Sequence, residues 1–158
     1  MQTTDTCSYS VLMSIYKKEK PAFLIQALDS MLNQTVSPSE IVMVKDGPLT
    51  RELEDVLSDY DSEHPGLFKF ISYDENHGLG YALRQGMLAC SNEIVARMDT
   101  DDVARSDRME KQLAAINRGL DMVGSDVVEF VESPDKPIAS TDLPKGMDAI
   151  SILSLIHI

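Results

Sequence analysis

Three carboxylates crowd into four positions of the chain, where Asp99, Asp101 and Asp102 stand directly after an apolar run that ends at Met98. Like charges at this spacing repel one another, whereas hard divalent ions such as Mg²⁺ and Mn²⁺ favour oxygen ligands. The run before them predicts a central strand, and α/β sheets bind ligands beyond the carboxyl ends of their strands. We therefore expect Asp99 and Asp101 to hold Mg²⁺ or Mn²⁺. An acidic turn that caps the next helix is the alternative.

Residues that could bind a ligand also lie at the ends of three other apolar runs. Tyr16 ends the first run, where its ring either covers the edge of the core or lies flat against a planar base. Asp46 lies in a Lys-Asp-Gly-Pro turn and offers an acceptor to a ring N–H, or simply makes the turn. Gly78 and Gly80 let the backbone come close to a ligand. The chain contains no GxGxxG sequence and no GKS or GKT loop, so dinucleotide and P-loop sites are not indicated.

Short apolar runs alternate with amphipathic stretches, and these elements must position the residues above. The strands are expected at residues 9–16, 40–45, 67–73, 93–98 and 122–131, and the helices at 21–33, 51–60, 80–89 and 106–118. Pro21 suits a first helical turn, Thr50 a cap and Gly119 a helix end. Strict alternation predicts an α/β fold, with a doubly wound, mostly parallel sheet and helices on both faces.

Length, charge and cysteine content narrow the class of protein. The 158 residues suffice for one domain with a core, expected at residues 1–132, and proline and glycine predict an irregular tail at 133–158. A formal charge of -12 argues against nucleic acid and anionic membranes as partners. Cys7 and Cys90 form no CxxC pair, no signal-peptide pattern is present, and no apolar run reaches the roughly 20 residues of a transmembrane segment. These features predict a reduced, cytoplasmic chain.

Several segments, taken in order, resemble the family 2 glycosyltransferases of the GT-A fold, especially bacterial members that build surface polysaccharides. They are residues 10–16, 28–35, 44–47, 76–83 and 97–102, with 106–112 and 122–125 in continuation. The order and spacing match along about the first 130 residues. The series carries the resemblance, because no single segment is specific enough.

The resemblance assigns seven residues to a donor site. The residues expected to bind nucleotide sugar are Ser14, Tyr16, Asp46, Gly78, Arg84 and Asp99. Ser14 and Tyr16 would line the base pocket, and Asp46 would accept the N–H of uracil or a related base. Asp99 and Asp101 would form a DxD motif, in which Asp101 ligates the metal and Asp99 contacts the ribose or the metal.

By the same resemblance, the chain is the donor-binding part of an inverting glycosyltransferase that uses a nucleotide-diphosphate sugar, with UDP-sugars favoured. The acceptor site and general base of such enzymes lie in a second half. Residues 133–158 are thus expected to be the truncated start of that half or a non-native end. The acceptor hydroxyl, on a saccharide or a lipid-linked molecule, and the oligomeric state stay open. The inner face of the membrane is a compatible location.

Two other classes of protein also place carboxylates at strand ends. A receiver-like, non-catalytic module that binds a metal or phosphate needs a lysine after a late strand, and Lys136 falls in the irregular segment. A metal-dependent nucleotidyltransferase begins with a glycine-rich basic loop, which residues 16–20 do not supply. The glycosyltransferase interpretation is therefore preferred.

Overall fold

The computed structural model describes residues 8–130 and 137–141. The strands are β1 (Tyr9–Ile15), β2 (Glu40–Lys45), β3 (Phe68–Ser72), β4 (Ile94–Arg97), β5 (Val127–Phe130) and β6 (Pro137–Thr141). The helices are α1 (Pro21–Leu32), α2 (Arg51–Glu63), α3 (Leu79–Ala89) and α4 (Arg108–Ile116). The chain divides into two compact units, Met1–Lys111 and Gln112–Ile158, and α4 belongs to both.

The first unit contains a four-stranded parallel sheet in the order β3-β2-β1-β4. The connections through α1 and α2 proceed toward one edge, whereas the connection through α3 returns past β1 to the other edge. Because such crossovers are right-handed, α1 and α2 lie on one face and α3 on the other. The order in which strands are added to the sheet thus reverses between β1 and β4, although these two strands are parallel. The predicted doubly wound α/β fold is confirmed.

The core sits around β1 and β2, whose residues are almost all buried, as parallel strands covered on both faces should be. On the face covered by α3, Leu12, Val42, Val44 and Ala82 form a buried cluster. Gly86 completes this contact, since a Cβ there would lie 2.2 Å from Cδ1 of Leu12 and 2.9 Å from Cγ2 of Val44. The missing side chain lets α3 approach the sheet closely.

The helix ends follow the chemistry of the residues that form them. Pro21 occupies the first turn of α1, where its missing N–H costs nothing. The Thr50 hydroxyl accepts the N–H of Leu53 at 3.4 Å and caps α2. Gly119 adopts φ +95° after α4, and its N–H donates to the Ile116 carbonyl at 2.8 Å. All three helix-end predictions are confirmed.

Two strand predictions are wrong, and one strand forms where irregular backbone is predicted. The strand before the acidic cluster is not central, because β4 pairs only with β1 among the described strands and forms a sheet edge. The strand predicted at 122–131 is shorter, and β5 pairs antiparallel with β6 in a two-stranded sheet of the second unit. Valine-rich runs favour extended backbone without specifying a partner, and Val127 and Val128 are 46% and 51% exposed. Residues 137–141 form the strand β6 where prolines predict irregular backbone, because Pro137 is tolerated as the first residue of a strand.

Part of the remaining predictions lies outside the described residues. These parts are Cys7, the domain boundary at residue 132 and the tail at 142–158. Cys90 directly follows α3, is partly buried and forms no disulfide, and burial raises the pKa of its thiol. No helix within residues 8–130 and 137–141 is both long and apolar enough to cross a membrane.

Candidate functional site

A cavity of about 410 Å³ opens at the carboxyl ends of the parallel strands, where the strand order reverses. Its lining comes from the four segments that follow these strands, at positions 14–19, 46, 76–79 and 99–101. Doubly wound sheets bind ligands at this reversal, because adjacent loops diverge there and leave a crevice. The cavity is therefore the candidate site.

The end of β1 contributes Ser14, Tyr16 and Glu19 to the cavity. Tyr16 is 38% exposed, so its ring is accessible to a planar ligand. The Glu19 N–H donates to the Tyr16 carbonyl at 3.1 Å and closes a turn. Burial, together with the charges of Asp101 and Asp99, raises the pKa of Glu19 above its usual 4.5. A further carboxylate thus faces the acidic loop across the cavity.

Asp46 follows β2 and anchors the loop that follows β3. It is 4% exposed, and its Oδ1 and Oδ2 accept the backbone N–H groups of His77 at 2.8 Å and Gly78 at 2.9 Å. Nδ2 of Asn76 donates to the Asp46 carbonyl at 3.0 Å. Gly47 has φ +88°, and a Cβ there would lie 3.0 Å from the Asn76 nitrogen. Each carboxylate oxygen keeps another acceptor direction, so Asp46 can also receive a ligand N–H.

The acidic loop follows β4 and carries Asp99, Thr100 and Asp101 into the cavity lining. Thr100 is 3% exposed, which fixes the backbone between the two aspartates. The Asp102 N–H points back to the Asp99 carbonyl at 3.4 Å. Burial and the charges of Asp99 and Asp101 raise the pKa of Asp102. This repulsion is the electrostatic condition under which a bound cation stabilises a loop.

Two arginines lie beside the acidic loop. Nη2 of Arg97, the last residue of β4, donates to Oδ1 and Oδ2 of Asp99, both at 2.8 Å. Nη2 of Arg108 donates to the Arg97 carbonyl at 2.9 Å, and its Nη1 lies 3.3 Å from Sδ of Met98. Asp99 is therefore ion-paired within the chain, and Arg108 holds the backbone from which that pair projects.

Gln34, just beyond α1, holds the segment that follows the acidic loop. It is 5% exposed, and its Nε2 donates to the carbonyls of Ser30 at 2.9 Å and Arg105 at 2.7 Å. Its Oε1 accepts the N–H of Met109 at 2.9 Å. The Ser30 hydroxyl accepts the N–H of Ala104 at 3.0 Å. These bonds fix the backbone of residues 104–109 against α1.

The donor set suits a divalent ion that arrives with a phosphate ligand. Within the described part of the chain, no group of three or more His, Cys, Asp or Glu residues is arranged to hold a metal ion. Mg²⁺ in phosphate sites is typically bound by one or two carboxylates, with phosphate and water as its other ligands. Asp99 and Asp101 face one cavity and meet that requirement.

Six of the seven predicted site residues line the cavity, namely Ser14, Tyr16, Asp46, Gly78, Asp99 and Asp101. Arg84 is exposed on α3 and is not among the lining residues, so its role stays a prediction. Sequence reasoning missed Glu19, and it gave Asn76, Thr100 and Gln34 no role. The rule that ligands bind after strand ends selects residues 16–20 and 99–102, which contain Glu19 and Thr100, but it does not say which side chains line a cavity.

Residues 10–146 match the family described as glycosyl transferase family 2. The chain belongs to this family. One relative is the amylovoran biosynthesis glycosyltransferase AmsE of Erwinia amylovora, 40% identical over 126 residues that cover 78% of this chain and 47% of AmsE. Another is the UDP-Gal:alpha-D-GlcNAc-diphosphoundecaprenol beta-1,3-galactosyltransferase of Escherichia coli, 40% identical over 138 residues that cover 85% of this chain and 49% of that enzyme. The family 2 chain thus spans about half the length of these relatives.

A solved structure shares the fold of this family 2 chain. The mannosyltransferase PcManGT from Pyrobaculum calidifontis, in complex with GDP-Man and Mn²⁺, matches with a TM-score of 0.61 at 21% identity. The match covers 70% of this chain and 32% of PcManGT. The predicted GT-A fold is confirmed, and family membership does not favour the receiver-like alternative.

Proposed function

We propose that this chain is the donor-binding part of a metal-dependent, inverting glycosyltransferase of surface polysaccharide or glycoconjugate synthesis. One observation carries the proposal: a single cavity at the reversal of strand order is lined by Asp46, Asp99 and Asp101. The Escherichia coli relative is named for UDP-Gal, and PcManGT was solved with GDP-Man and Mn²⁺. Both names support a nucleotide-diphosphate sugar, and the first favours a UDP-sugar.

The cavity residues divide the donor between them. Tyr16 offers its exposed ring to the base, with Ser14 beside it at the strand end. Asp46 accepts the ring N–H through the acceptor directions that His77 and Gly78 leave open. A fixed carboxylate at this point favours a base with an N–H over one without it, because only the N–H can use the acceptor directions that the loop leaves open.

The acidic loop receives the diphosphate end of the donor. Asp101 would ligate Mg²⁺ or Mn²⁺, and Asp99 would contact the ribose or the same ion. When bound, the ion supplies positive charge that stabilises the leaving diphosphate. The chain itself contributes two carboxylates at a spacing fixed by the buried Thr100. It also contributes Glu19, whose pKa is raised first by burial and then by the negative charges of Asp101 and Asp99, which a cation would offset.

We place the acceptor site and the general base outside this chain, and we propose residues 1–132 as the donor-binding domain. The Escherichia coli relative is named for a diphosphoundecaprenol-linked acceptor. That name supports a lipid-linked saccharide, met at the inner face of the membrane, as the acceptor class. A general base must lie within hydrogen-bond reach of the acceptor hydroxyl. We therefore expect this chain to bind donor without transferring sugar.

Isothermal titration with UDP-sugars, in the presence and absence of Mn²⁺, tests the proposal. We expect binding to require Mn²⁺ and to weaken at least tenfold in Asp101→Asn, which removes the ligand charge but keeps the side-chain shape. Asp55→Asn on α2 is the matched control, because Asp55 is 67% exposed and is not among the residues that line the cavity. Undiminished binding by Asp101→Asn, or no binding by the wild-type chain, contradicts the proposal. Tighter binding of GDP than of UDP contradicts the preference for uracil alone.

A further inference from the structure

We propose that Arg97 is an internal counter-cation of Asp99 that competes with the divalent ion and so sets the metal affinity of the site. This inference rests on the proposed function, since it concerns the same acidic loop. The guanidinium donates to both oxygens of Asp99 at 2.8 Å, so it occupies one acceptor direction of each oxygen and places a positive charge where the divalent ion would bind. The ion pair of Arg97 is with Asp99, two residues before Asp101.

The position of Arg97 is fixed by the fold and does not depend on chance side-chain contact. Arg97 ends β4, opposite Leu12 of β1 in the parallel register. Its carbonyl accepts Nη2 of Arg108 at 2.9 Å, which holds the strand end in place. Two positive charges therefore flank the loop that a doubly charged ion must enter. Arg97 contacts both oxygens of Asp99, a carboxylate that lines the cavity.

The strength of the pair suits an exchangeable competitor. The side chains of Arg97 and Asp99 are 44% and 40% exposed. Ion pairs at such exposure are weak, because water screens the charges and two long side chains lose freedom. A divalent ion with a diphosphate can therefore displace the guanidinium, at a cost in affinity. After displacement, the charge of Arg97 still repels a divalent ion bound alone. When the diphosphate is also bound, the same charge attracts the diphosphate.

Titration of the chain with Mn²⁺, followed by the electron paramagnetic resonance signal of the free ion, tests this role without any activity measurement. We expect Arg97→Gln to bind Mn²⁺ about three- to tenfold more tightly than the wild type, since both competition and repulsion are removed. Arg97→Lys keeps the charge and should stay within about twofold. The gain in Arg97→Gln should shrink as NaCl rises from about 0.05 to 0.5 M, because salt screens exposed charges.

Arg105→Gln is the matched control. Arg105 pairs with Asp107 at the same two-residue separation, and Nε lies 3.4 Å from Oδ1, but neither residue lines the cavity. Equal or weaker Mn²⁺ binding by Arg97→Gln overturns the inference, and so does an equal gain in Arg105→Gln, which would reveal only the net charge. Far-ultraviolet circular dichroism verifies that each variant is folded.

The two proposals fail in different ways. If wild-type Mn²⁺ binding is absent both with and without UDP, the metal site fails and the role of Arg97 fails with it. If Mn²⁺ binding is lost in Asp101→Asn but unchanged in Arg97→Gln, the metal site stands and only the role of Arg97 is overturned.

Discussion

Asp46 gives the sharpest test of how the cavity is built. Asp46→Asn keeps the size of the side chain but replaces one acceptor oxygen by an NH₂ group. In the structure the two oxygens accept the N–H groups of His77 and Gly78. The asparagine can satisfy only one of them, and its NH₂ then faces the other N–H. The perturbation therefore converts a two-point anchor of this loop into a one-point anchor.

The size of the effect follows from the bonds that change. A hydrogen bond to a charged group contributes about 1.5 to 3 kcal/mol, and a neutral one about 1. Losing one charged bond and weakening the other costs about 3 kcal/mol. Since 1.4 kcal/mol is tenfold in an equilibrium, the open form of the loop should become about 100-fold more populated. The N–H groups themselves can reach water when the loop opens, so the rest of the fold should persist.

Amide hydrogen exchange measured by nuclear magnetic resonance reads this population directly. We expect the protection of the His77 and Gly78 amides to fall about 100-fold in Asp46→Asn, while the amides of β1 keep theirs. Asp74→Asn is the control, because Asp74 is exposed in the same connection and loses the same charge. Unchanged exchange at His77 and Gly78 would refute the anchor. A loss of UDP binding with unchanged exchange would assign Asp46 to the base alone.

Three further perturbations test the packing and the braces of the fold. Gly86→Ala should lower the free energy of unfolding, measured in urea, by about 1 to 2 kcal/mol, because the cost of overpacking against the sheet exceeds the gain in helix propensity. Gly80→Ala is the control and should not destabilise α3, because the space around Gly80 is open. Gln34→Ala should lower the free energy of unfolding by about 2 to 4 kcal/mol and weaken Mn²⁺-dependent UDP binding, because it removes the hydrogen bonds that hold residues 104–109. Asn33→Ala is the control: it removes one exposed hydrogen bond to the Asp29 carbonyl and should leave UDP binding intact. Burial alone would raise the pKa of Glu40, but hydrogen bonds from neighbouring serines outweigh it and hold the pKa below 4.5. Glu40 therefore stabilises the folded state above about pH 4.5, and this contribution disappears as the pH falls through the lowered pKa. In Glu40→Gln, the free energy of unfolding should depend less on pH in this range. An unchanged pH dependence would contradict the role of Glu40.

The sheet and the acidic cluster could be predicted because each rests on a local pattern. Buried runs such as residues 40–45 give parallel strands, and their ends give the positions of Asp46, Asp99 and Asp101 without any knowledge of long-range contacts. The strand at the sheet edge and the antiparallel pairing of β5 could not be predicted in the same way. Pairing depends on which surfaces meet, and β-propensity is silent about that.

The contacts that support the site could not be predicted from the sequence, for a different physical reason. Gln34 binds the carbonyl of Arg105 and the N–H of Met109, both about seventy positions away. Backbone groups carry no sequence signal, since every residue has them. Glu19 was hidden in a lysine-rich loop, where a charged residue ordinarily reads as solvent-exposed. The residues that touch a ligand are thus easier to find than those that hold them.

Gln34 bonds to residues 105 and 109 only through their main-chain atoms, and this limits which substitutions in that segment can disturb the contact. Because neither bond depends on the side chain of Arg105, which is 84% exposed, substitutions there leave both hydrogen bonds in place, whereas the side chain of Met109 is 2% exposed and belongs to the core. Substitution of Arg105 is thus expected to retain the path of residues 104–109 along α1. The glutamine offers no such freedom, since a shorter amide cannot reach both attachment points.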